Sequence, residues 1–421
     1  MFLIFTINTI INVLYLMFFN DFNLVILVTI FAMQFILILL LRKIHKFKSS
    51  FLILISLLIL SVPTSFRNVF GGDYGDVPVS WYNVYFVLSL LTFLLSSRKF
   101  EKLPIKVSFL FFIWLIIEVL HSYDFYNALK DAINFFPLLF CYFISIKNIV
   151  RSFTSTLLIL MDLYVVSALS LLLPLLIQIF LFLMQGVALG KLDIMAGRIG
   201  FGVIFSDYSF LSLFFSTASM IAFFMKKRRI IACILLLASI LTTARTGMFS
   251  FVLSIMFLGI LDSAKRAKGL KLIKTLGVVV LTGGIGLLIL TNLRSGDILD
   301  PAGRLSSMEK AFSIILKNPL FGVGLGTEAF KEAFGFAIPH NIIVQSLLQI
   351  GIPGTVFLII IFANLWFSLW KGRPQLNAIL YSFTTLLVGS MFIPDIISSR
   401  FLMAMILLLK IAREERRVCY T

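Results

Sequence analysis

The sequence predicts an all-α membrane protein, a polytopic helical bundle of about 12 to 14 transmembrane helices with one structured periplasmic loop. The first observation is composition, because 60% of the 421 residues are hydrophobic and only 13% are charged. The second is arrangement, since long apolar stretches alternate with short basic runs. A soluble domain of this size could not bury so much apolar surface. We therefore exclude a soluble enzyme, a disordered chain and a secreted disulfide-rich protein.

The apolar stretches are predicted to be helices, because every backbone polar group in lipid must be satisfied within the segment. The longer stretches also lack the period-two alternation that a transmembrane β-barrel shows. Two short segments, 50–63 and 401–412, could be re-entrant instead of spanning, which leaves 12 to 14 as the range at about 20 residues a span. The spans are predicted at 3–19, 23–41, 50–63, 80–97, 107–121, 133–147, 157–184, 201–225, 230–244, 247–262, 275–292, 342–370, 376–393 and 401–412.

The positive charge predicts the orientation of these spans. The net charge is +17, and 25 of the 36 Lys and Arg residues lie in seven short runs between apolar stretches. Basic loops are retained in the cytoplasm, so we place all seven runs and both termini there. Because the charge is divided among loops and forms no single patch, we expect no nucleic-acid partner. The runs are 42–48, 98–106, 147–151, 226–229, 265–274, 371–373 and 410–417.

The opposite, external face then carries one large loop, at 293–341. Within this loop, residues 305–317 form an amphipathic pattern with Met308, Phe312 and Ile315 on the apolar side. Asn318-Pro319 is expected to end that helix. No repeat or flexible linker divides the chain, so we predict that residues 1–421 form a single integral membrane domain.

Three arginines on the outer face are candidates for binding an anion. Arg245 lies between two apolar spans, where an arginine costs about 2.5–3.5 kcal/mol on insertion scales, and no acidic residue is close to it in sequence. Arg304 precedes the amphipathic helix, whose free N–H groups also favour anions. Arg198, between two glycines, lies at the start of a predicted span. The alternatives are a snorkelling arginine for Arg245 and solvated loop residues for Arg198 and Arg304.

The candidate proton acceptor is His340, which Asn341 follows at the outer end of the span at 342–370. Histidine is the side chain best suited to accept a proton near neutral pH. The alternative is that His340 only caps the helix. The acidic residues and the three scattered cysteines form no metal-ligand cluster. We therefore expect no metal and no cofactor.

These segments together resemble the O-antigen polymerase and O-antigen ligase superfamily. The resemblance consists of Gly303-Arg304, the turn at 318–326 (Asn-Pro-Leu-Phe-Gly-Val-Gly-Leu-Gly), Pro339-His340-Asn341 and the segment 347–354 (Leu-Leu-Gln-Ile-Gly-Ile-Pro-Gly). The upstream Thr-Ala-Arg245-Thr-Gly is similar to a second arginine motif of that family. The similar region covers about 50 residues plus this short bend.

The resemblance implies a GT-C-type fold and metal-independent, inverting glycosyl transfer at the periplasmic face of a bacterial inner membrane. The donor would be a glycan on undecaprenyl pyrophosphate. Arg245 and Arg304 would bind the pyrophosphate, with Arg198 matching less closely, while His340 would be the base and Asn341 would bind substrate beside it.

The acceptor determines which enzyme this is. A second lipid-linked repeat unit would make it an O-antigen polymerase, working with a chain-length regulator and a flippase, whereas lipid A–core would make it an O-antigen ligase. The loop at 293–341 is short for a core ligase, which favours the polymerase. A lipid-linked oligosaccharide flippase is the alternative from another class, but the chain shows none of the internal repeats typical of transporters.

Overall fold

The computed structural model describes residues 1–19, 23–44, 49–70, 79–95, 105–122, 124–143, 153–195, 198–225, 228–266, 304–336, 338–370, 374–393 and 400–420. The predicted span at 275–292 and the first part of the large loop, 293–303, lie outside these residues. The helices are α1 (Phe2–Met17), α2 (Leu24–Ile44), α3 (Ser50–Leu60), α4 (Trp81–Leu95), α5 (Ile105–His121), α6 (Phe125–Phe143), α7 (Phe153–Leu169), α8 (Leu172–Gln185), α9 (Tyr208–Phe224), α10 (Arg229–Leu241), α11 (Arg245–Arg266), α12 (Arg304–Lys317), α13 (Thr327–Phe334), α14 (Ile342–Leu369), α15 (Pro374–Gly389) and α16 (Arg400–Tyr420). A 3-10 turn at Pro63–Phe66 and a hairpin of β1 (Lys191–Met195) and β2 (Arg198–Val203) complete the described elements.

The predicted fold class, a polytopic helical membrane protein, is confirmed. Three described segments are long and apolar enough to cross a membrane, namely Leu24–Ile44, Thr154–Gln185 and Ile342–Leu369. Eight further apolar helices are shorter. The exact number of crossings remains a prediction.

The chain divides into two compact units. The first consists of Met1–Arg98, Ile146–Ile298 and Gly372–Leu386, and the second of Lys99–Ser145, Leu299–Lys371 and Leu387–Thr421. That these units form the single membrane domain expected from the sequence remains a prediction.

The core of the first unit is built on α9. Helices α10 and α11 both pack against it, and its buried face is rich in serine. Ser212 and Ser216 both contact the Ser239 hydroxyl of α10, at 2.8 and 2.9 Å. Small hydroxyl side chains let helix backbones approach closely and form hydrogen bonds where no water is present.

The predicted span at 157–184 is two helices, because the chain turns at Ser170 between α7 and α8. The Ser170 hydroxyl accepts hydrogen bonds from the amides of Asn8 and Asn12 of α1, at 2.8 and 2.7 Å. Pro174 is the local cause of the break, because it cannot donate a hydrogen bond to the Ser170 carbonyl four residues earlier. The polar contacts come from a helix more than 150 residues away in sequence, and local hydropathy does not reveal them.

The predicted span at 201–225 does not begin as a helix, because residues up to Val203 belong to β2. Gln178 of α8 holds both strands through its fully buried amide group. Its Nε2 donates to the carbonyls of Leu189 and Lys191, at 2.6 and 3.0 Å, and its Oε1 accepts from the Val203 N–H at 3.0 Å. This buried polar anchor explains the only strands in the described part of an otherwise helical chain.

The second unit contains α5, α6, α12, α13, α14 and α16. Helix α14 packs against α5, α12 and α16, and α6 packs against α5, α13 and α16. Helix α14 is kinked, because Gly351 has φ 61° and ψ −172° and Pro353 follows inside the helix. Proline removes one backbone donor from the helical ladder, so carbonyls near the kink need other partners.

Candidate functional site

The glycine-rich turn at 318–326 is docked on the kink of α14 by backbone hydrogen bonds. The Val323 N–H donates to the Leu348 carbonyl at 2.6 Å, and the Ile352 N–H donates to the Pro319 carbonyl at 3.0 Å. The sequence predicted a turn here but not its partner. The two motifs at 318–326 and 347–354 are therefore two sides of one backbone contact.

Two glycines make this approach possible. A Cβ at Gly322 would overlap the Leu348 carbonyl oxygen, and a Cβ at Gly351 would overlap the Leu320 carbonyl oxygen. Both residues also have positive φ, which side-chain-bearing residues rarely adopt. The glycines therefore allow the turn to lie directly against α14.

The end of α5 fixes the other side of the turn. The Ser122 hydroxyl accepts a hydrogen bond from the Leu325 N–H at 2.8 Å. The Trp114 indole N–H donates to the Ile350 carbonyl at 2.9 Å, and its ring stacks on Phe321 with centroids 5.2 Å apart. Trp114 thus satisfies a carbonyl next to the kink.

Helix α6 contributes two carboxylates to the same region. Asp131 accepts a hydrogen bond from the Gly326 N–H at 3.1 Å, at the N-terminus of α13. Asp124 caps α6 itself, and hydrogen bonds from Asn127 and Tyr126 lower the pKa of its carboxyl group. Neither carboxylate was identified from the sequence.

Helices α12 and α13 form a small hydrophobic core with the start of α14. Its buried members are Ala311, Ile315, Phe330, Ile338, Val344 and Leu348. The predicted helix at 305–317 is confirmed, and Met308 and Ile315 face this core as expected. The placement of Phe312 was wrong, because it is 48% exposed and Ala311 occupies the buried face instead.

This core positions His340 directly before α14. Asn341 is the N-cap of that helix, since its Oδ1 accepts from the N–H groups of Ile343 and Val344 at 3.0 and 3.2 Å. The capping role considered for His340 therefore belongs to Asn341. His340 is half-buried just outside the cap. Because the Asn341 Oδ1 caps the helix, the predicted substrate contact of this side chain would be made by its amide nitrogen.

Arg304 is the first residue of α12 and belongs to the same unit as His340. The prediction that it opens the amphipathic helix is confirmed. Its side chain lies outside the described part of the structure. Arg304 begins α12 and His340 directly precedes α14, and both helices pack in one core together with α13.

Arg198 and Arg245 belong to the first unit, where the structure links their backbone segments. The Phe201 N–H of β2 donates to the Thr242 carbonyl at 3.2 Å, and the Thr243 hydroxyl donates to the Ile199 carbonyl. Arg198 begins β2, and Arg245 begins α11 directly after this bend. Thr243 has φ 64°, a strained conformation for a β-branched residue.

The start of α11 is held tightly against α9. The Gly247 N–H donates to the Ser212 hydroxyl at 3.2 Å, and a Cβ at Gly247 would overlap both Ser212 and Ser239. Arg245 itself is half-buried and makes its own polar or ring contacts. The predicted bend of threonine and glycine is thus a rigid support for Arg245.

Sequence reasoning missed the residues that hold the predicted ones in place. Ser122, Asp131 and Gln178 are polar side chains beside or inside apolar stretches. That position was the only feature of the sequence by which they could have been identified. Their partners are backbone groups 203, 195 and at most 25 residues away.

The comparisons with known proteins agree with the resemblance described above. Residues 230–359 match the family model described as O-Antigen ligase. The matched segment contains Arg245, Arg304, His340 and Asn341, whereas Arg198 lies before it. A comparison with the curated proteins found no match. The family match supports an O-antigen ligase or polymerase type of function and a glycosyltransferase-like enzyme.

Proposed function

We propose that this protein transfers a glycan from undecaprenyl pyrophosphate to an acceptor hydroxyl at the periplasmic face of the inner membrane. One observation carries the proposal: His340 lies just outside a helix start that another residue caps, and Arg304 begins a helix packed on the same core. A partly exposed histidine that does not cap the helix is proposed to accept the proton. The family match covers both residues.

The reaction requires one bond to form and one to break. The acceptor hydroxyl attacks the anomeric carbon from the face opposite the leaving group, which inverts that carbon. The bond from the anomeric carbon to the pyrophosphate oxygen breaks, and undecaprenyl pyrophosphate leaves. His340 takes the hydroxyl proton. The step uses no metal and no cofactor.

The arginines bind the pyrophosphate and stabilise the charge that develops on it. A guanidinium group can make two parallel hydrogen bonds to phosphate oxygens. Arg304 lies beside the free N–H groups at the start of α12, which also favour an anion. Arg245, and Arg198 on the adjoining hairpin, are proposed to bind the pyrophosphate as well. Asn341 is proposed to contact substrate through its amide nitrogen.

We favour polymerisation of O-antigen, or of a related surface polysaccharide, because the loop that carries α12 and α13 is short. The ligase remains the second candidate, because the matched family is described as O-Antigen ligase. A polymerase would also work with a flippase and a chain-length regulator.

Deletion of the gene separates polymerase from ligase. If the chain is the polymerase, lipopolysaccharide carries core plus one repeat unit. If it is the ligase, the core is bare and lipid-linked polymer accumulates. An unchanged ladder would contradict both.

His340 is the residue on which the enzyme proposal depends. We expect Ala, Asn, Ser and Gln at position 340 to lower turnover by about 10²–10⁴-fold, the usual contribution of a general base. Donor binding should persist, since the arginines hold the pyrophosphate. Complementation by each variant is read from the glycan ladder and the membrane level of the protein.

His121→Gln is the matched control, because this exposed histidine at the end of α5 is expected to leave the ladder normal. Full glycan ladders from His340→Asn and His340→Ser would show that His340 is not the base. Loss of lipid-linked substrate from the outer face, with polymerisation intact, would indicate a flippase.

A further inference from the structure

The end of α12 and the residues just after it expose three large apolar side chains. Phe312 is 48% exposed, Leu316 is 80% exposed and Leu320 is 59% exposed. They follow one another at intervals of four residues, which is about one helical turn. Another side of α12 is buried, because Ala311 and Ile315 lie in the core shared with α13 and α14. We call Phe312, Leu316 and Leu320 the apolar edge.

Direct contacts with α14 fix the depth of the apolar edge. The Ile352 N–H donates to the Pro319 carbonyl at 3.0 Å, and a Cβ at Gly351 would overlap the Leu320 carbonyl oxygen. Gly351 comes ten residues after the N-cap Asn341, which is about 15 Å along the helix axis. Helix α14 is one of the described segments long and apolar enough to cross a membrane. Leu320 therefore lies well within the length of this candidate span.

Helix α5 indicates the same depth. The ring of Phe321, which follows Leu320, stacks on Trp114 with centroids 5.2 Å apart and lies 5.1 Å from the His121 ring. Phe321 is therefore beside the last two turns of α5, which ends at His121. The outer surface of these turns is apolar, because Ile116 and Leu120 are exposed. In a membrane protein such a surface faces lipid.

The surface of α14 changes at this level as well. Val344 and Leu348 are buried in the core with α12. One turn beyond Leu348, Ile352 is exposed, and Val356 and Ile359 follow it. Exposed apolar side chains of α14 therefore begin where the cover provided by α12 and its following turn ends. The hydrogen bond from Ile352 to the residue before Leu320 makes the apolar edge continuous with this lipid-facing surface.

The charged residues of α12 fit a helix whose end enters the membrane surface. Glu309 and Lys310 are exposed two turns before Leu316 and Lys317. The exposed part of the helix thus changes from charged to apolar along its length. Lys317 is exposed beside Leu316. A lysine at the edge of the hydrocarbon keeps its stem among apolar groups and extends its ammonium to the lipid phosphates.

We propose that the apolar edge is a lipid-contact surface, immersed among the acyl chains in the half of the bilayer where α5 ends and α14 begins. The loop at 293–341 was predicted to be external, whereas its residues 312–321 lie within the membrane boundary. Lys317 meets the phosphate groups of the same lipids. This contact does not depend on the transfer reaction, because it requires only that α5 and α14 lie in the membrane. It fixes the depth of the core beside His340.

The experiment measures the depth of a nitroxide spin label in the full-length protein, in nanodiscs of phosphatidylethanolamine and phosphatidylglycerol. Leu316→Cys and Leu320→Cys are each labelled in a variant whose three native cysteines are replaced by serine. Collisions with oxygen report hydrocarbon, and collisions with a water-soluble nickel chelate report water. We expect both labels to favour oxygen and to lie about 5–10 Å below the phosphate groups. Leu316→Cys keeps the test informative if Leu320→Cys disturbs the turn, because the Leu316 side chain is the most exposed of the three.

Glu332→Cys is the matched control, since this glutamate is exposed on α13 of the same unit. Its label is expected to favour the nickel chelate. Equal access of the chelate to labels at 316 and 332 would place the apolar edge in water and overturn the inference. An immobile label that neither reagent reaches would also overturn it, because another protein surface would then cover the edge.

Discussion

The docking of the glycine-rich turn on α14 predicts that Gly351→Ala destabilises the second unit. At φ 61° and ψ −172°, Gly351 occupies a region that is essentially restricted to glycine, and a side chain there costs about 1–3 kcal/mol. The new methyl group would also overlap the Leu320 carbonyl, so the turn must move away from the helix. This separation removes the Val323–Leu348 and Ile352–Pro319 hydrogen bonds.

Each backbone hydrogen bond contributes about 0.5–1.5 kcal/mol, so the total loss is about 2–6 kcal/mol. The matched control is Gly335→Ala. Gly335 has φ 68°, but nothing lies within 4 Å of the Cβ position, so only the conformational cost of about 1–2 kcal/mol applies. The two substitutions therefore separate the backbone conformation from the close approach.

The assay compares apparent melting temperatures of the purified variants in detergent and their transfer rates. Gly351→Ala should melt at a clearly lower temperature than Gly335→Ala and lose transfer activity, because the support for His340 is lost. Equal melting temperatures for the two variants would refute the docking argument.

Three further predictions concern the proposed substrate-binding residues and the expected independence from metal ions. Arg245→Ala and Arg304→Ala should each reduce transfer by about a thousandfold at normal membrane level, with little rescue by Lys; near-normal glycan ladders would contradict pyrophosphate binding. Asn341→Asp should keep the helix cap and the melting temperature but lower donor or acceptor affinity, whereas unchanged kinetics would restrict Asn341 to capping. Transfer should continue in EDTA, and loss that magnesium or manganese restores would reveal a metal requirement.

Local sequence patterns predicted the elements that depend on local causes. The helix at 304–317 followed from its amphipathic spacing, and the turn after it followed from Asn318-Pro319. Arg304 and His340 were placed at helix starts for the same reason. These features depend on neighbours within a few residues, which a single sequence contains.

Features that depend on distant partners were not predicted. The strand at 198–203 depends on Gln178, and the Ser170 hydroxyl is bound by asparagines of α1, although the break at Ser170 also has a local cause in Pro174. Both stretches are apolar enough to resemble one continuous span. Phe312 was misplaced because the pattern identifies an apolar stripe but not which part of it faces the core.

The candidate site follows the same division. The sequence identified the residues proposed to act on substrate, but not Ser122, Asp131 and Trp114, which hold the turn beside them. A serine, an acid or a tryptophan in or beside an apolar helix has many possible roles. Only the fold shows that their partners are backbone groups of the turn and the kink.

The contacts of α5 also set the order in which the protein can be completed during biosynthesis. Trp114 and Ser122 enter the membrane long before their partners, because Ile350 and Leu325 follow 236 and 203 residues later. At about 5–20 residues per second, the nascent chain waits roughly 10 to 50 seconds for these contacts. A ribosome that stops before residue 351 therefore releases a chain without the kink that holds the turn. The turn at 318–326 can therefore dock only when the polypeptide is nearly complete.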